Sequence, residues 1–218
     1  EARLACRICA RQHPSETMAE WFAEGLLERL VDRDDFLARK LLTEATFYVV
    51  PCMNPDGAWQ GRTRRNGADV DLNREWVNPS MKASPEVFLV QQKMNETGVD
   101  FFMDVHGDEE LPYVFLGGPL EVPSVTETMR QNFRNFQEAL QATNPDYKRG
   151  YEYPGGPPPN PDLRMAWNYM GETFQCLSIL VEQPFKDCEH SLDTLKGWSP
   201  ERSKRLGAAS LTALSSVI

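Results

Sequence analysis

The 218-residue chain lacks any apolar run approaching the roughly 20 residues that a membrane-spanning helix needs. It also lacks a charged-then-apolar segment of the secretory type at its start. Basic residues are in the minority, with 23 Lys and Arg against 32 Asp and Glu, so the net charge is -9. A surface of this sign disfavours nucleic acids and anionic membranes as partners. We therefore expect a cytoplasmic protein that binds neither.

Cysteine is scarce and unevenly spaced, because the five residues form no regular framework and an odd number cannot pair completely. Cys6 and Cys9 make a C-x-x-C, a spacing that also occurs in redox and zinc motifs. Both lie inside the apolar run LACRICA, and no second C-x-x-C follows. We interpret them as buried free thiols in a reducing compartment.

Repeats and low-complexity tracts are also absent, and short apolar runs alternate instead with helix-like segments. Such alternation predicts an α/β sheet with crossover helices. The predicted strands are residues 4–10, 45–50, 100–105, 113–117 and 176–181. Helix starts are predicted at Ser84-Pro85 and Ser199-Pro200. A further start is predicted from the capping-box spacing of Ser124 and Glu127.

Histidine occurs only three times, and two of these residues follow predicted strands. His13 comes three residues after the first strand, and His106 directly follows DFFMDV. Glu182 directly follows the buried-type run CLSILV, and an Arg-rich loop follows the second strand. Carboxyl ends of parallel strands share one edge of a sheet, where open α/β folds bind their ligands. The sequence therefore predicts a functional site at this edge.

His13 and Glu16 are candidate metal ligands, separated by three residues with Pro14 between them. Catalytic zinc commonly takes two histidines and one carboxylate, and His106 would complete that set. Alone, the pattern fits an ordinary helix start better than a zinc pair, since an acidic residue in the first turn meets the helix dipole favourably. We interpret His190, in DCEHS, as an ordinary surface histidine.

Glu182 and four arginines supply further candidate chemistry. A glutamate at the end of a buried strand is costly unless it is functional, although it could also face solvent. Beside a metal it would serve as a general base. Residues 51–79 contain Arg62, Arg64, Arg65 and Arg74. Arginine grips carboxylates bidentately and stabilises oxyanions, whereas the alternative is a solvated basic loop.

Four motifs in this order resemble the zinc carboxypeptidases of the carboxypeptidase A type. They are HPSE, NPDG with the following DLNREW, DVHG and LVEQPFKD, and their form is similar to the cytosolic carboxypeptidase branch, including its bacterial members. The resemblance extends from about Arg11 to the C-terminal helix. It implies a central mixed, mostly parallel sheet flanked by helices. It also implies one catalytic domain over residues 1–218, normally preceded by a β-rich domain that this chain lacks.

The resemblance further implies one zinc ion held by His13, Glu16 and His106. Glu182 would be the base that activates the attacking water, and Arg64 would polarise the scissile carbonyl and stabilise the oxyanion. Asn73 and Arg74 would bind the terminal carboxylate of a peptide or protein substrate. Tyr151 and Tyr153 are both candidates for a mobile tyrosine over the substrate.

The expected function is therefore hydrolysis of a C-terminal peptide bond by a zinc-activated water. Arg62 and Arg65 are spare arginines that could favour glutamate-rich C-termini. Two alternatives stay open: an amidohydrolase of N-acyl amino acids or peptidoglycan peptides on the same fold, and a catalytically inactive module that only binds C-termini.

Overall fold

The computed structural model describes residues 3–156 and 158–218 and contains a five-stranded sheet in the order β2-β1-β3-β5-β4. The strands are β1 (Leu4–Ala10), β2 (Ala45–Val50), β3 (Phe101–Val105), β4 (Phe115–Gly117) and β5 (Leu177–Glu182). All neighbouring pairs are parallel except β4 with β5. The α/β fold with a central mixed, mostly parallel sheet flanked by helices is therefore confirmed.

Seven α-helices and one 3-10 turn connect the strands within the described ranges. The α-helices are α1 (Thr17–Leu30), α2 (Phe36–Glu44), α3 (Pro55–Trp59), α4 (Pro85–Thr97), α5 (Glu127–Thr143), α6 (Ala166–Phe174) and α7 (Pro200–Leu214), and the 3-10 turn is Leu72–Arg74. None of the helices in the described part of the chain combines the length and apolarity needed to cross a bilayer.

The apolar core is divided between the two faces of the sheet. Cys6, Ile8 and Ala10 of β1 belong to a large cluster with residues of α1, α5 and α7. Cys9 belongs to a smaller cluster with residues of α4 and α6. Strands β3 and β5 are buried at every position, because helices cover both faces of the sheet there. This explains why their sequences are nearly continuous apolar runs.

Helices α1 and α7 approach each other unusually closely, and two glycines permit it. A Cβ atom at Gly25 of α1 would overlap the backbone of Lys204, and one at Gly207 of α7 would overlap the carbonyl oxygen of Phe22. Backbone lies directly against backbone at both points, so neither position has room for a side chain. The direction of α1 is therefore fixed by its contact with the last helix.

Several predicted boundaries differ from the structure. Strand β4 begins at Phe115, because Val114 forms only an isolated bridge with Tyr147. Helix α5 is capped by Thr126, whose side chain accepts a hydrogen bond from Met129 N, so the predicted capping box at Ser124 is wrong. Ser124 instead donates its backbone N–H to Glu172. Proline follows the N-cap residue in α4 and α7, as predicted at both positions.

All five cysteines lie within the described ranges and are free thiols. Four are buried, and Cys52 is half-buried. Burial raises the pKa of Cys6 to about 12 and also raises the pKa of Cys9. The C-x-x-C is thus a pair of buried thiols on one strand. Cys6 and Cys9 face opposite sides of the sheet, which keeps their two sulfur atoms apart.

Candidate metal centre and active site

Three residues from two strand ends form a compact group of ligand atoms. His13 lies in the turn between β1 and α1, where Arg11 has a left-handed φ of 57° that redirects the chain. Glu16 is the N-cap residue of α1 rather than a member of its first turn. His106 follows β3 and is anchored to β5, because its backbone N–H donates to Val181 O at 2.8 Å.

The two histidines approach the same carboxylate with the same ring nitrogen. His13 Nδ1 lies 2.6 Å from Glu16 Oε1, and His106 Nδ1 lies 2.8 Å from Glu16 Oε2. One ligand atom from each of the three residues lies within 4.8 Å of the others, and all three side chains are buried. The sequence-based prediction that these residues come together is therefore confirmed.

The opposite ring nitrogens both face carboxylates that sequence reasoning missed. His13 Nε2 lies 3.1 Å from Asp71 Oδ1, and His106 Nε2 lies 2.9 Å from Asp104 Oδ1. A carboxylate there favours a hydrogen on Nε2, so that Nδ1 can offer its lone pair to a metal, an arrangement typical of zinc-binding histidines. The residues present thus fit a zinc ion. The signal was the strand period, since Asp104 and His106 are two residues apart and face the same side.

The mutual attraction of these groups determines their protonation. Burial works against the charge of His13 and His106, but the neighbouring carboxylates outweigh it and raise the pKa of both. Burial likewise works against the charge of Glu16, yet the two histidines lower its pKa to about 2. The carboxylate is therefore ionised at neutral pH. The carboxylates around His13 and His106 therefore favour a positive charge at this position, as a metal site requires.

Glu182 lies with the three ligands in a cavity of about 450 Å³. It is the last residue of β5 rather than the residue after it. Its Oε1 accepts a 2.7 Å hydrogen bond from Tyr153 Oη, whereas its buried Oε2 has no partner among the described residues. Burial raises the pKa of Glu182 to about 8, despite the opposing effect of His106. A carboxylate in this setting is poised to take up a proton near neutral pH.

The three residues predicted to contact substrate line the same cavity. Arg64 donates from Nε to Asp71 Oδ2 at 2.8 Å and is half-exposed. Arg74 donates to the carbonyl oxygen of Asn73 at 2.7 Å. Asn73 is buried, and its Oδ1 accepts the backbone N–H of Ala166 at 2.8 Å. Asn73 therefore also holds the start of α6, a structural contact that its sequence motif did not predict.

Arg62 and Arg65 are placed differently from Arg64. Both contact Asp69, with Arg62 Nη1 at 3.2 Å from Oδ1 and Arg65 Nη1 at 2.9 Å from the carbonyl oxygen. Neither is among the residues that line the cavity. The sequence-based suggestion that these two arginines favour acidic side chains therefore has no geometric support.

The two candidate tyrosines occupy different positions relative to the cavity. Tyr153 lines the cavity and contacts Glu182, whereas the ring of Tyr151 stacks on His190 with centroids 5.2 Å apart. His190 is half-buried, and its Nε2 lies 3.2 Å from the carbonyl oxygen of Asp146. The interpretation of His190 as an ordinary surface histidine stays a prediction, although Tyr151 and Asp146 pack against the half-buried ring. It lies outside the cavity.

A second cavity of about 310 Å³ adjoins the first, and Tyr153 and Leu180 line both. Its walls are largely apolar, with Phe115, Phe133 and Trp167 among them. No arginine, lysine or histidine lines it among the described residues. Leu180 and Glu182 lie two residues apart on β5 and so face the same side of the sheet.

Together, the fold and the donor set define an α/β protein with a metal centre of two histidines and one carboxylate. The sequence model of the peptidase M14 family, described as zinc carboxypeptidase, matches residues 1–169. The chain belongs to this zinc carboxypeptidase family, and His13, Glu16 and His106 are its zinc-site triad.

Relatives and solved structures agree with this placement. An uncharacterized protein from Zymomonas mobilis is 45% identical over 218 residues, covering 100% of this chain and 57% of the relative. Cytosolic carboxypeptidase 6 from Caenorhabditis elegans is 28% identical over 195 residues, covering 84% and 41%. A metallo-carboxypeptidase from Pseudomonas aeruginosa, solved in complex with (2-guanidinoethylmercapto)succinic acid, has a TM-score of 0.94 and 45% identity, covering 99% and 57%. The chain thus spans 41% to 57% of the length of these three proteins.

Proposed function

We propose that the protein is a zinc-dependent metallocarboxypeptidase that hydrolyses the C-terminal peptide bond of peptides or proteins. The observation that carries the proposal is the position of Glu182, a buried carboxylate of raised pKa in one cavity with the zinc triad and two arginines. Zinc at this site supplies Lewis-acid polarisation of a carbonyl and lowers the pKa of a water molecule.

The proposed role of Glu182 is proton transfer. Its Oε2, which has no partner among the described residues, accepts the proton of the attacking water and then delivers it to the leaving amine. Burial supports this role, because the raised pKa makes the protonated carboxyl an accessible intermediate state near neutral pH. Tyr153, whose hydroxyl contacts the other oxygen, is the proposed tyrosine over the substrate.

The arginines account for the choice of a chain terminus. We place Arg64 on the developing oxyanion and Arg74, with Asn73, on the free carboxylate of the substrate. Arg64 is half-exposed on the cavity wall, and its present contact is with Asp71. Arg74 is weakly paired with Asp162, with Nε 3.6 Å from the carboxylate, and so has donors to offer to a ligand.

The two cavities also bear on which C-terminal side chain of the substrate is preferred. Glutamate is a candidate because Arg64 and Arg74 bring positive charge to the cavity. The adjoining apolar cavity favours a different class, however, since a carboxylate entering it would be desolvated with no cation beside it. We therefore infer that large apolar C-terminal residues are preferred over glutamate.

A reducing, cytoplasmic location belongs to the same proposal. Its support is the set of five free cysteines, among which Cys6 and Cys9 occupy one strand without pairing. Buried thiols of raised pKa resist oxidation and are compatible with such a compartment.

The experiment is mass spectrometry of a peptide library with varied C-terminal residues, with and without a chelator. We expect loss of single C-terminal residues that stops with chelator and returns with zinc. C-terminally amidated copies of the same peptides are the matched control and stay intact. Turnover of N-acyl amino acids or peptidoglycan peptides without turnover of peptides would identify the alternative amidohydrolase. Binding of intact peptides without cleavage, by a protein that takes up no zinc, would identify the binding module.

A further inference from the structure

A buried chain of hydrogen bonds lies behind the metal centre and contains a residue with no role in the proposed reaction. The indole Nε1 of Trp76 donates to Gln12 Oε1 at 2.9 Å. Gln12 Nε2 donates to Asp104 Oδ1 at 2.7 Å. The same oxygen of Asp104 faces His106 Nε2 at 2.9 Å. Gln12, Trp76 and Asp104 are each 0% exposed.

The donor-to-acceptor direction of these hydrogen bonds is fixed by Trp76. An indole N–H can only donate, so the amide oxygen of Gln12 must face Trp76 and its NH₂ group must face Asp104. A carboxylate can only accept, so Asp104 favours a hydrogen on Nε2 of His106. With zinc bound, Nδ1, the atom that faces Glu16, would then offer its lone pair to the metal.

Asp104 depends on Gln12 for its orientation. The terminal torsion of an aspartate is broad and does not by itself select a rotamer. Oδ1 receives both Gln12 and His106, while Oδ2 has no partner among the described residues. Without Gln12 the carboxylate would be free to rotate, and the histidine ring would lose its fixed acceptor.

The position of Gln12 in the chain links the two histidines. It directly precedes His13, and its backbone carbonyl accepts Asn54 Nδ2 at 2.9 Å. The turn that places His13 therefore also sends the Gln12 side chain across to the strand end that carries His106. One short segment positions ligands from two different strands.

We propose that Gln12 is a positioning residue for the zinc ligand His106, acting through Asp104 and held in orientation by Trp76. The proposal rests on the proposed zinc-dependent function. Its consequence is that zinc affinity depends on an uncharged side chain that touches neither metal nor substrate. Loss of the outer partner of a metal-binding histidine typically weakens metal binding about 10- to 100-fold.

The test variant is Gln12→Met, which keeps the approximate size of the side chain but removes the donor that faces Asp104, together with the acceptor for Trp76. Gln131→Met makes the same change on the exposed surface of α5 and is the matched control. Zinc affinity is measured by chelator competition, and the coordination geometry by the visible absorption spectrum of the cobalt-substituted protein. Thermal unfolding of the metal-free proteins records any loss of stability separately.

We expect Gln12→Met to weaken zinc binding by up to about 10- to 100-fold and to change the cobalt spectrum, while Gln131→Met matches the parent protein. Trp76→Phe is the second variant, because it removes the anchoring donor and keeps a buried aromatic ring, and we expect a smaller loss of affinity in the same direction. Parent-like zinc affinity and cobalt spectra in both variants would overturn the proposal, even if metal-free stability falls. Failure of the parent protein to bind zinc would instead refute the proposed function.

Discussion

The hydroxyl of Tyr153 donates a 2.7 Å hydrogen bond to Glu182 Oε1, so the proposed general base already has one oxygen occupied before substrate arrives. This contact stabilises the ionised carboxylate and works against the burial that raises its pKa. The other oxygen has no hydrogen-bond partner in the described part of the chain, and we assign it to the reaction. The pair joins the β5 end to the loop that encloses the substrate cavity.

The first prediction concerns the pH profile of Tyr153→Phe. A general base acts when deprotonated, so kcat/KM rises as the pH increases through the pKa of Glu182. Bound zinc lowers this pKa below the value of about 8 found for the protein alone. Removal of the tyrosine hydroxyl deletes a contact that favours the charged form. We expect the acidic limb of the profile to move to higher pH. Tyr151→Phe, whose ring faces His190, is the control and leaves the limb in place.

The second prediction is that Glu182→Gln separates metal binding from turnover. The glutamine keeps the shape of the side chain but cannot take up a proton. We expect kcat to fall by about 10²- to 10⁴-fold, with zinc content unchanged by elemental analysis. Glu121→Gln, on an exposed loop, serves as the control. Retained turnover in Glu182→Gln would remove this residue from the mechanism.

The third prediction concerns recognition of the chain terminus by Arg74. Loss of a charge-assisted hydrogen bond costs about 1.5–3 kcal/mol, so Arg74→Ala should lower kcat/KM by about 10- to 100-fold. Steady-state kinetics on one peptide measures the effect, which we expect mainly in KM. Arg164→Ala is the control, because Arg164 shares the partner Asp162 but lies outside the cavity lining. An equal loss in both variants would assign the effect to Asp162 instead.

The fourth prediction concerns the last residue of the substrate. Peptides that differ only at their C-terminus should be cleaved faster with phenylalanine or leucine than with glutamate. The reason is that the cavity beyond Tyr153 has apolar walls and offers no cation among its described residues. Competition between two such peptides in one reaction measures the ratio of kcat/KM directly. A preference for glutamate would place the side chain elsewhere, near Arg64 and Arg74.

The fifth prediction concerns stability. The guanidinium of Arg202 is 5% exposed and contacts two carboxylates, Asp146 at 2.7 Å and Asp187 at 2.8 Å. Removing one partner of a buried pair leaves an uncompensated charge and costs about 3–5 kcal/mol. We expect Arg202→Met to lower the free energy of unfolding by about this amount in urea denaturation. Arg205→Met is the control, because Arg205 is 60% exposed and makes a weaker contact with Asp146, at 3.9 Å. We expect this variant to change the free energy of unfolding little.

The sequence was sufficient for the elements that obey local rules. Continuous apolar runs marked β1, β2, β3 and β5 within about a residue of their ends, because each is a buried or half-buried parallel strand. The convergence of His13, Glu16 and His106 was predicted from the H-x-x-E spacing together with parallel topology, since β1 and β3 end at one edge. Strand β4 was overextended, because an antiparallel edge strand pairs only as far as its single neighbour allows.

The residues that sequence reasoning missed are those whose roles depend on contacts across the fold. Gln12 and Asp104 are 92 positions apart, and nothing local in either segment predicts their hydrogen bond. Asp71 looked like part of a substrate motif, yet one carboxylate oxygen faces His13 and the other faces Arg64. Tyr151 and Tyr153 were indistinguishable because the loop around them has no periodicity. Packing against His190 and Glu182 separates them.

The glycine contact between α1 and α7 fixes the position of α1, and the zinc ligand Glu16 lies at the N-terminal end of this helix. Glu16 is nine positions from Gly25, which is about 14 Å along the helix at 1.5 Å per residue. A methyl group at Gly207 would force α1 away from α7 and swing Glu16 relative to His106, which is anchored separately to β5. The relative position of Glu16 and His106 thus depends partly on α7, through a residue that does not contact the metal centre.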